Sequence, residues 1–245
     1  MRILDGLYIV GGGDVGLSHR FDCNVYLIDG GDQMALVDAG VGLDSDQIIR
    51  NIESEGKDPS KIAFLFITHA HADHAGGAAA LSESLGCTVV AAKAEADIID
   101  HGSDEEIGLQ RNNDSDYLRG YRFRHVAAVE ISEGESFRVG SIDVTAIMTP
   151  GHSICSTCYS FQIGSKKCLC SGDTVFLKGL VGILNCYGFS MDSYRKSIVK
   201  LRGLGIESLL PGHLGFTFAQ GQRHIDIAIE QFGRVELPRH IGLLG

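Results

Sequence analysis

Histidine and aspartate are concentrated in one short stretch, THAHADHAGG, which spans Thr68–Gly77. Six consecutive positions hold three histidines and one aspartate: His69, His71, Asp73 and His74. The stretch directly follows an apolar run that we predict to be a buried strand, Ile62–Ile67. Imidazole and carboxylate groups at this density are typical of a metal site, although a solvated polar loop is an alternative. A metal site requires further ligands elsewhere in the chain.

Ionisable side chains also follow three later segments with strand patterns. Pro-Gly-His occurs twice, at Pro150–His152 and at Pro211–His213, and Asp173 follows a third strand-like segment. Proline cannot continue a β-ladder and glycine permits a sharp turn, so each triplet marks a strand end. Because open α/β sheets build their sites beyond the carboxyl ends of strands, we predict that the four strand ends converge on one site.

The ligand types restrict the metal. Imidazole with carboxylate suits Zn, Fe or Mn, whereas Mg and Ca sites are built from oxygen ligands. Because no cysteine is needed in the set, this is not a closed structural cysteine site. We therefore expect coordination positions that stay open for a reaction.

The elements that position these residues follow from hydrophobic periodicity and turn residues. Strands are predicted over Leu7–Val10, Asn24–Asp29, Met34–Asp38, Ile62–Ile67, Thr88–Ala92, Ser136–Val139, Asp143–Met148, Thr157–Ile163, Lys167–Cys170 and Glu207–Leu210. Helices are predicted after an N-cap at Asp44 or Ser45, over Ala75–Leu85, over Asp192–Arg202 and around Ile225–Phe232. Strands dominate both halves, which favours two packed sheets with helices outside, in a layered α/β fold. No linker divides the chain, so we predict a single domain over residues 1–245.

A glycine pattern near the start of the chain resembles a dinucleotide fingerprint. Gly11, Gly13 and Gly16 fit G-x-G-x-x-G after an apolar segment. That motif requires a helix to begin at the glycines so that its N-terminus can hold the pyrophosphate. A strand-like segment follows instead, which favours a hairpin loop over a nucleotide site.

Composition excludes several functional classes. The 245 residues include 44% hydrophobic and 21% charged residues, as in soluble globular proteins. A net charge of −10 disfavours nucleic-acid binding. No export signal or apolar run of about 18 residues occurs, so we expect no membrane span and a cytoplasmic location. The seven cysteines, including Cys155-x-x-Cys158, are interpreted as free thiols and not as a redox centre.

The chain resembles the metallo-β-lactamase superfamily. H-x-H-x-D-H at positions 69–74 is the family's most specific signature, and Val37–Gly40 is similar to its Asp-Gly turn. His152 in TPGHS, Asp173 in SGDT and His213 in LPGH stand at the remaining ligand positions in the same order. The resemblance covers nearly the whole chain and implies a four-layer αββα sandwich with its site at one edge.

The resemblance also implies a two-metal site. One ion would be held by His69, His71 and His152. The second would be held by Asp73, His74 and His213, with Asp173 as the bridge. We expect two divalent ions, Zn first and Fe or Mn as alternatives. A hydroxide shared by two metals is a nucleophile at neutral pH, and Asp73 would orient it and carry its proton.

The expected activity is therefore hydrolysis of an ester, thioester, lactone or amide. Zinc β-lactamases typically lack an acid at the position of Asp173, so antibiotic hydrolysis is not favoured. Glyoxalase II enzymes add a helical domain, whereas 32 residues follow His213 here. The nucleases of the superfamily are larger and basic. A small glyoxalase II-like or lactonase-like hydrolase with a small acyl substrate remains, and a homodimer is one option for its assembly.

Two other hypotheses stay open. Persulfide dioxygenases share the fold and the H-x-H-x-D-H motif but use one iron, held by two histidines and an aspartate. The third hypothesis is a non-catalytic metal-binding protein. Metal content separates the first two, because two ions per chain favours the hydrolase and one iron with oxygen consumption favours the dioxygenase.

Substrate contacts are predicted from loops that would border the site. Gly11–Asp22 would form a mobile flap with His19 as a contact. The polar segment 100–124 would form the opposite wall through Tyr117 or Tyr121. Tyr187, between the Asp173 and His213 strand ends, could donate a hydrogen bond to a carbonyl oxygen.

Overall fold

Two β-sheets form the middle of the structure, a computed structural model that describes residues 1–109, 120–234 and 236–243. The seven-stranded sheet contains, in spatial order, β1 (Arg2–Leu4), β2 (Leu7–Gly11), β3 (Val25–Asp29), β4 (Met34–Val37), β5 (Ile62–Phe66), β6 (Thr88–Ala92) and β7 (Val129–Ile131). The five-stranded sheet contains β8 (Ser136–Val139), β9 (Ile142–Met148), β10 (Thr157–Ile163), β11 (Lys166–Gly172) and β12 (Ser208–Pro211). Its spatial order is β12-β11-β10-β9-β8.

Helices cover the outer faces of both sheets. They are α1 (Ser45–Ser54), α2 (Ala72–Ala75), α3 (Ala78–Leu85), α4 (Lys93–His101), α5 (Met191–Ile198) and α6 (Gly221–Phe232). Short 3-10 turns occur at Pro59–Lys61, Leu177–Gly179, Val199–Leu201 and Ile241–Leu243. Among the helices of the described segments, none is both long enough and apolar enough to cross a bilayer.

The four layers follow from the alternation of side chains along the strands. On β3, Tyr26 and Ile28 face the other sheet, where they join Tyr159 and Phe161 of β10 in one core. The intervening residues Val25 and Leu27 face the opposite way and pack with residues of α1, α3 and α4. A third core lies between the five-stranded sheet and the helices α5 and α6. The order of layers is therefore αββα, which confirms the predicted fold class.

Strand direction explains why the ligand-bearing turns lie at one edge. In the first sheet, β4, β5 and β6 are parallel neighbours, so their carboxyl ends point the same way. In the second sheet, β11 and β12 are parallel, and β9 and β11 are both antiparallel to β10. The carboxyl ends of β9, β11 and β12 therefore share an edge of that sheet.

Several predicted boundaries differ from the structure. The predicted helix Ala75–Leu85 corresponds to α3, which begins three residues later, whereas the short helix α2 before it was not predicted. The predicted helix Asp192–Arg202 becomes α5 followed by a 3-10 turn. The strands β1 and β7 and the helix α4 were not predicted. The glycine pattern after β2 leads into β3, which pairs antiparallel with β2, so no helix begins there. Tyr117 and residues 110–119 of the predicted polar segment lie outside the described residues.

Candidate metal centre

Three imidazole nitrogens meet in the first cluster, formed by His69, His71 and His152. Nε2 of His69 lies 3.0 Å from Nδ1 of His71. Nε2 of His152 lies 3.2 Å from both of these nitrogens. Nitrogen ligands of a tetrahedral zinc ion lie about 3.3 Å apart, given Zn–N bonds of about 2.0–2.1 Å. The triangle of nitrogens is close to the size that a bound ion requires.

Hydrogen bonds around the first cluster leave lone pairs facing its centre. Thr68 Oγ1 donates its one hydrogen to Asp38 at 2.9–3.0 Å, so it accepts from Nδ1 of His69 at 3.0 Å. Nδ1 of His152 donates to the carbonyl of Gly182 at 2.9 Å. A neutral imidazole carries one hydrogen, so Nε2 of both rings carries a lone pair. Two lone pairs that face each other at 3.2 Å repel unless a cation lies between them.

The second cluster, formed by Asp73, His74 and His213, lies beside the first. Nε2 of His213 is 3.0 Å from Oδ2 of Asp73 and 3.2 Å from Nε2 of His74. Nδ1 of His74 lies 2.9 Å from the carboxylate of Asp38, which fixes the orientation of the ring. The side chains of Asp73 and His213 are 37% and 22% exposed, whereas His74 is fully buried. The second cluster is therefore the more accessible of the two.

Asp173 lies between the two clusters. Its Oδ2 is 3.7 Å from Nε2 of His152 and 3.8 Å from Nε2 of His213. Its Oδ1 is 3.4 Å from Nε2 of His74 and, although buried, has no hydrogen-bond partner among the described residues. A buried carboxylate oxygen without a partner is costly, so this position fits a ligand shared by two cations. The seven residues thus form one centre.

The two clusters differ in charge. Burial lowers the pKa of His71 to about 3, so this imidazole is neutral, as a metal ligand must be. Burial would also lower the pKa of His213, but the carboxylates of Asp173, Asp14 and Asp73 outweigh it and raise the pKa to about 10. The carboxylates therefore stabilise positive charge at the second cluster. The donor set of the centre fits two divalent cations.

The turn after β4 contacts the loop that carries ligands of both clusters. Asp38 adopts a φ of 63°, which turns its carboxylate towards the loop after β5. Oδ1 accepts a hydrogen bond from the backbone N–H of Thr68 at 2.8 Å, and Oδ2 contacts His74 as described above. Asp38 thereby links both clusters, through Thr68 to His69 and directly to His74.

A cleft of about 290 Å³ opens at the centre. One set of lining residues comes from the loop between β2 and β3, namely Asp14, Arg20, Phe21 and Asp22. An apolar set comes from other segments, namely Val41, Ile107, Leu109 and Leu184. His71, Asp73 and His213 also line the cleft, so a bound molecule would contact both clusters. The loop Gly11–Asp22 borders the site, as expected.

Of the predicted substrate contacts, His19, Tyr121 and Tyr187 are not among the described residues that line this cleft. Nδ1 of His19 accepts from the backbone N–H of Phe21 at 3.4 Å. The hydroxyl of Tyr121 donates to the carbonyl of Val41, a lining residue, at 2.8 Å. Tyr187 is 40% exposed on the surface. The lining residues Arg20 and Asp14 were not predicted, because lining residues in a loop have no periodic pattern.

Burial disfavours the thiolate form of the cysteines singled out by the sequence pattern and of the cysteine that lines the cleft. All seven are free thiols. Burial raises the pKa of Cys155 and of Cys158 to about 11, so very little thiolate is present at either position. Cys186 lines the cleft, and burial raises its pKa to about 11 as well.

The αββα sandwich and the histidine-rich centre at its edge define a metal-binding α/β protein. The sequence profile of the metallo-beta-lactamase superfamily matches residues 20–213, which include all seven residues of the centre. The chain belongs to this superfamily.

Solved structures with the same fold include subclass B3 metallo-beta-lactamases. BJP-1 of Bradyrhizobium japonicum is 22% identical, with a TM-score of 0.72 over 94% of this chain and 89% of that chain. MIM-2 metallo-beta-lactamase is 20% identical, with a TM-score of 0.70 over 96% and 90% of the two chains. At these identities the likeness concerns the fold alone.

Curated relatives include proteins named as thioesterases. The atrochrysone carboxyl ACP thioesterase of Aspergillus fumigatus is 25% identical over 231 residues, which cover 92% of this chain and 61% of the relative. The acyl-coenzyme A thioesterase MBLAC2 of Homo sapiens is 28% identical over 212 residues, which cover 78% and 72% of the two chains. The lactamase-like protein nscB of Arthroderma gypseum is 28% identical over 218 residues. The chain spans about 60% of the length of these two fungal relatives.

Proposed function

We propose that the protein is a dinuclear metal-dependent hydrolase that cleaves an acyl thioester, with esters and lactones as related substrates. The observation that carries the proposal is the position of Asp173, whose oxygens lie within 3.8 Å of nitrogens from both clusters. A carboxylate in that position supports a shared centre over two separate sites. We also propose that residues 1–245 form a single domain, because both sheets contribute residues to this centre.

The residues present would hold two divalent ions, with zinc as the first expectation. His69, His71 and His152 would hold one ion, and Asp73, His74 and His213 would hold the other, with Asp173 between them. When bound, such a pair of ions acidifies a water molecule and polarises a carbonyl group.

Asp73 is the group of the centre that is best placed to move a proton. Its side chain is 37% exposed and lines the cleft, whereas Asp173 is 4% exposed. A contact of 3.0 Å with Nε2 of His213 holds one of its oxygens. We infer that this carboxylate accepts the proton of an attacking water molecule and returns it to the leaving group.

The residues that line the cleft support an acyl thioester as the substrate, with the acyl group attached to an anionic carrier. The relatives are named for acyl-coenzyme A and for ACP, and both names refer to acyl thioesters. The apolar residues Ile107, Leu109 and Leu184 can receive an acyl chain. Arg20 lines the same cleft, lies 4.4 Å from the ring centroid of Phe21, and makes no ion pair within the described part of the chain. Its guanidinium is therefore available for a phosphate group of the carrier.

The test combines metal analysis of the purified protein with a panel of acyl-coenzyme A, lactone, β-lactam and persulfide substrates. We expect two ions per chain and hydrolysis of the thioester. One iron per chain with oxygen uptake on the persulfide would replace the proposal with a dioxygenase. Two bound ions without turnover of any carbonyl substrate would instead support a non-catalytic metal-binding protein.

A further inference from the structure

A buried carboxylate outside the ligand set lies beside the first cluster. Glu95 of α4 is 1% exposed. Its Oε2 accepts a hydrogen bond from the backbone N–H of Ala70 at 2.8 Å. Its Oε1 accepts from the backbone N–H of Cys155 at 2.8 Å and from the hydroxyl of Ser153 at 2.6 Å. Burial raises the pKa of this carboxyl, and the three hydrogen bonds oppose that rise because each donor favours the ionised form.

These contacts join the two loops that supply the first cluster. Ala70 lies between His69 and His71, in the loop after β5 of the seven-stranded sheet. Ser153 directly follows His152, in the loop after β9 of the five-stranded sheet. One side chain on α4 therefore connects ligand-bearing loops from two different sheets, and each oxygen of the carboxylate serves one loop.

We propose that Glu95 is a positioning residue that sets the spacing of the three imidazole nitrogens in the first cluster, and thereby the affinity of that cluster for a divalent cation. The inference rests on the proposed function in that a cation binds there. The cluster needs this support because its nitrogens come from two loops and lie only 3.0–3.2 Å apart. Groups that orient metal ligands typically change metal affinity by about 10–100-fold.

The second cluster does not depend on Glu95 in the same way. Asp38 holds His74 directly, at 2.9 Å. His213 follows β12, and its neighbour Leu214 donates its backbone N–H to Asp14 at 2.8 Å. Neither of these contacts involves Glu95. A substitution at Glu95 should therefore weaken the binding of one ion more than the binding of the other.

Replacing Glu95 with glutamine tests whether both side-chain oxygens are needed as hydrogen-bond acceptors. The two side chains have nearly the same volume, but the amide nitrogen has no lone pair that could accept a hydrogen bond. In Glu95→Gln, either Ala70 or Cys155 loses the acceptor for its backbone N–H. The connection between the two loops is then broken on one side, while the packing of α4 is retained.

The experiment measures Zn²⁺ binding to the metal-free full chain by competition with a chromogenic chelator. We expect Glu95→Gln to weaken one of two binding steps by roughly 10–100-fold and to leave the other step nearly unchanged. The matched control is Glu130→Gln, because Glu130 is an exposed acid that contacts Lys93, the first residue of α4, at 2.6 Å. The control should bind Zn²⁺ like the parent.

Two results would overturn the proposal. One is parental affinity of Glu95→Gln in both steps. The other is an equal loss in both steps together with a lower unfolding temperature of the metal-free chain, which would indicate a general structural role.

A second variant covers the case in which Glu95→Gln does not fold. Ser153→Ala removes the hydroxyl contact with Glu95, together with the contact of that hydroxyl with Ser156, and leaves both backbone contacts of Glu95 in place. We therefore expect a smaller loss of affinity in the same single step. Parental Zn²⁺ binding by Ser153→Ala would then reject the proposal. Because these measurements need no substrate, an absence of thioester hydrolysis would reject the proposed function and leave the result on Glu95 intact.

Discussion

At the scale of single residues, the two central carboxylates have environments that suit different roles. Asp173 is buried and lies between the histidines of both clusters. Asp73 is more exposed and faces the cleft. Burial, with no hydrogen-bond partner for Oδ1 among the described residues, fits the proposed role of Asp173 in holding cations. Exposure fits the proposed role of Asp73 in exchanging protons with a substrate.

Replacing Asp173 tests the shared centre. We expect Asp173→Ala to bind fewer than two ions per chain and to lose activity by more than about 100-fold, because several kcal/mol of charge stabilisation depend on the ions. Metal analysis and kcat/KM on an acyl-coenzyme A thioester measure both effects. Full activity with two ions retained would show that Asp173 does not connect the clusters.

Replacing Arg20 tests the anionic carrier. A hydrogen bond to a charged group contributes about 1.5 kcal/mol, so Arg20→Ala should raise KM for an acyl-coenzyme A about tenfold. The same acyl group on N-acetylcysteamine, which carries no phosphate, should show little change. An equal rise for both thioesters would mean that Arg20 acts on the cleft in general and does not bind phosphate.

At the scale of elements, the strand ends were the most predictable part of the molecule. Pro-Gly pairs and apolar runs marked the ends of β5, β9 and β12 within about one residue. The helix α4 was missed because it begins directly after the last residue of β6 without a side-chain cap. Glu95 was missed with it, although an acid on the same helical stripe as Ile98 and Ile99 is a recognisable signal.

The cleft could be predicted only in part. The loop Gly11–Asp22 was predicted to border the site, and four of its residues line the cleft. Which of its side chains line the cleft depends on backbone turns that have no sequence period, so the position of Arg20 in the lining was not predicted.

The two Pro-Gly-His turns need glycine for different physical reasons. Gly151 has a φ of 147°, which side chains rarely adopt. Gly212 has an ordinary backbone, but a Cβ there would lie 2.5 Å from Cε1 of His74 and 2.6 Å from Oδ1 of Asp173. The glycine of the second turn therefore provides space for two residues of the centre.

Gly212→Ala should displace these two side chains and weaken metal binding. Gly215→Ala is a matched control in the same loop, because its Cβ would meet only Leu177 at an ordinary distance of 3.6 Å. We expect at least a tenfold loss of Zn²⁺ affinity for Gly212→Ala and none for the control. Equal affinities in the chelator competition would show that the centre tolerates the added methyl group.

At the scale of the whole molecule, the centre lies where the two sheets meet. The first sheet supplies the loop with His69 to His74, and the second supplies His152, Asp173 and His213. Hydrogen bonds already join the sheets near this edge: the hydroxyl of Tyr159 donates to the carbonyl of Ile67 at 2.9 Å, and that of Tyr26 donates to Pro211 at 2.8 Å. Bound cations would add a further connection between the same sheets.

Metal binding should therefore stabilise the whole fold. A ligand at about 1,000 times its Kd adds about 4 kcal/mol, and each kcal/mol raises the unfolding temperature of a domain of about this size by about 2–4 °C. We expect Zn²⁺ to raise the unfolding temperature of the metal-free chain by roughly 10 °C, and Mg²⁺ to have little effect because imidazole is a poor ligand for it. Thermal unfolding followed by circular dichroism measures the shift, and Asp173→Ala should show a smaller one. An equal shift with Mg²⁺ would indicate general cation binding to an acidic surface, since the chain carries a net charge of −10.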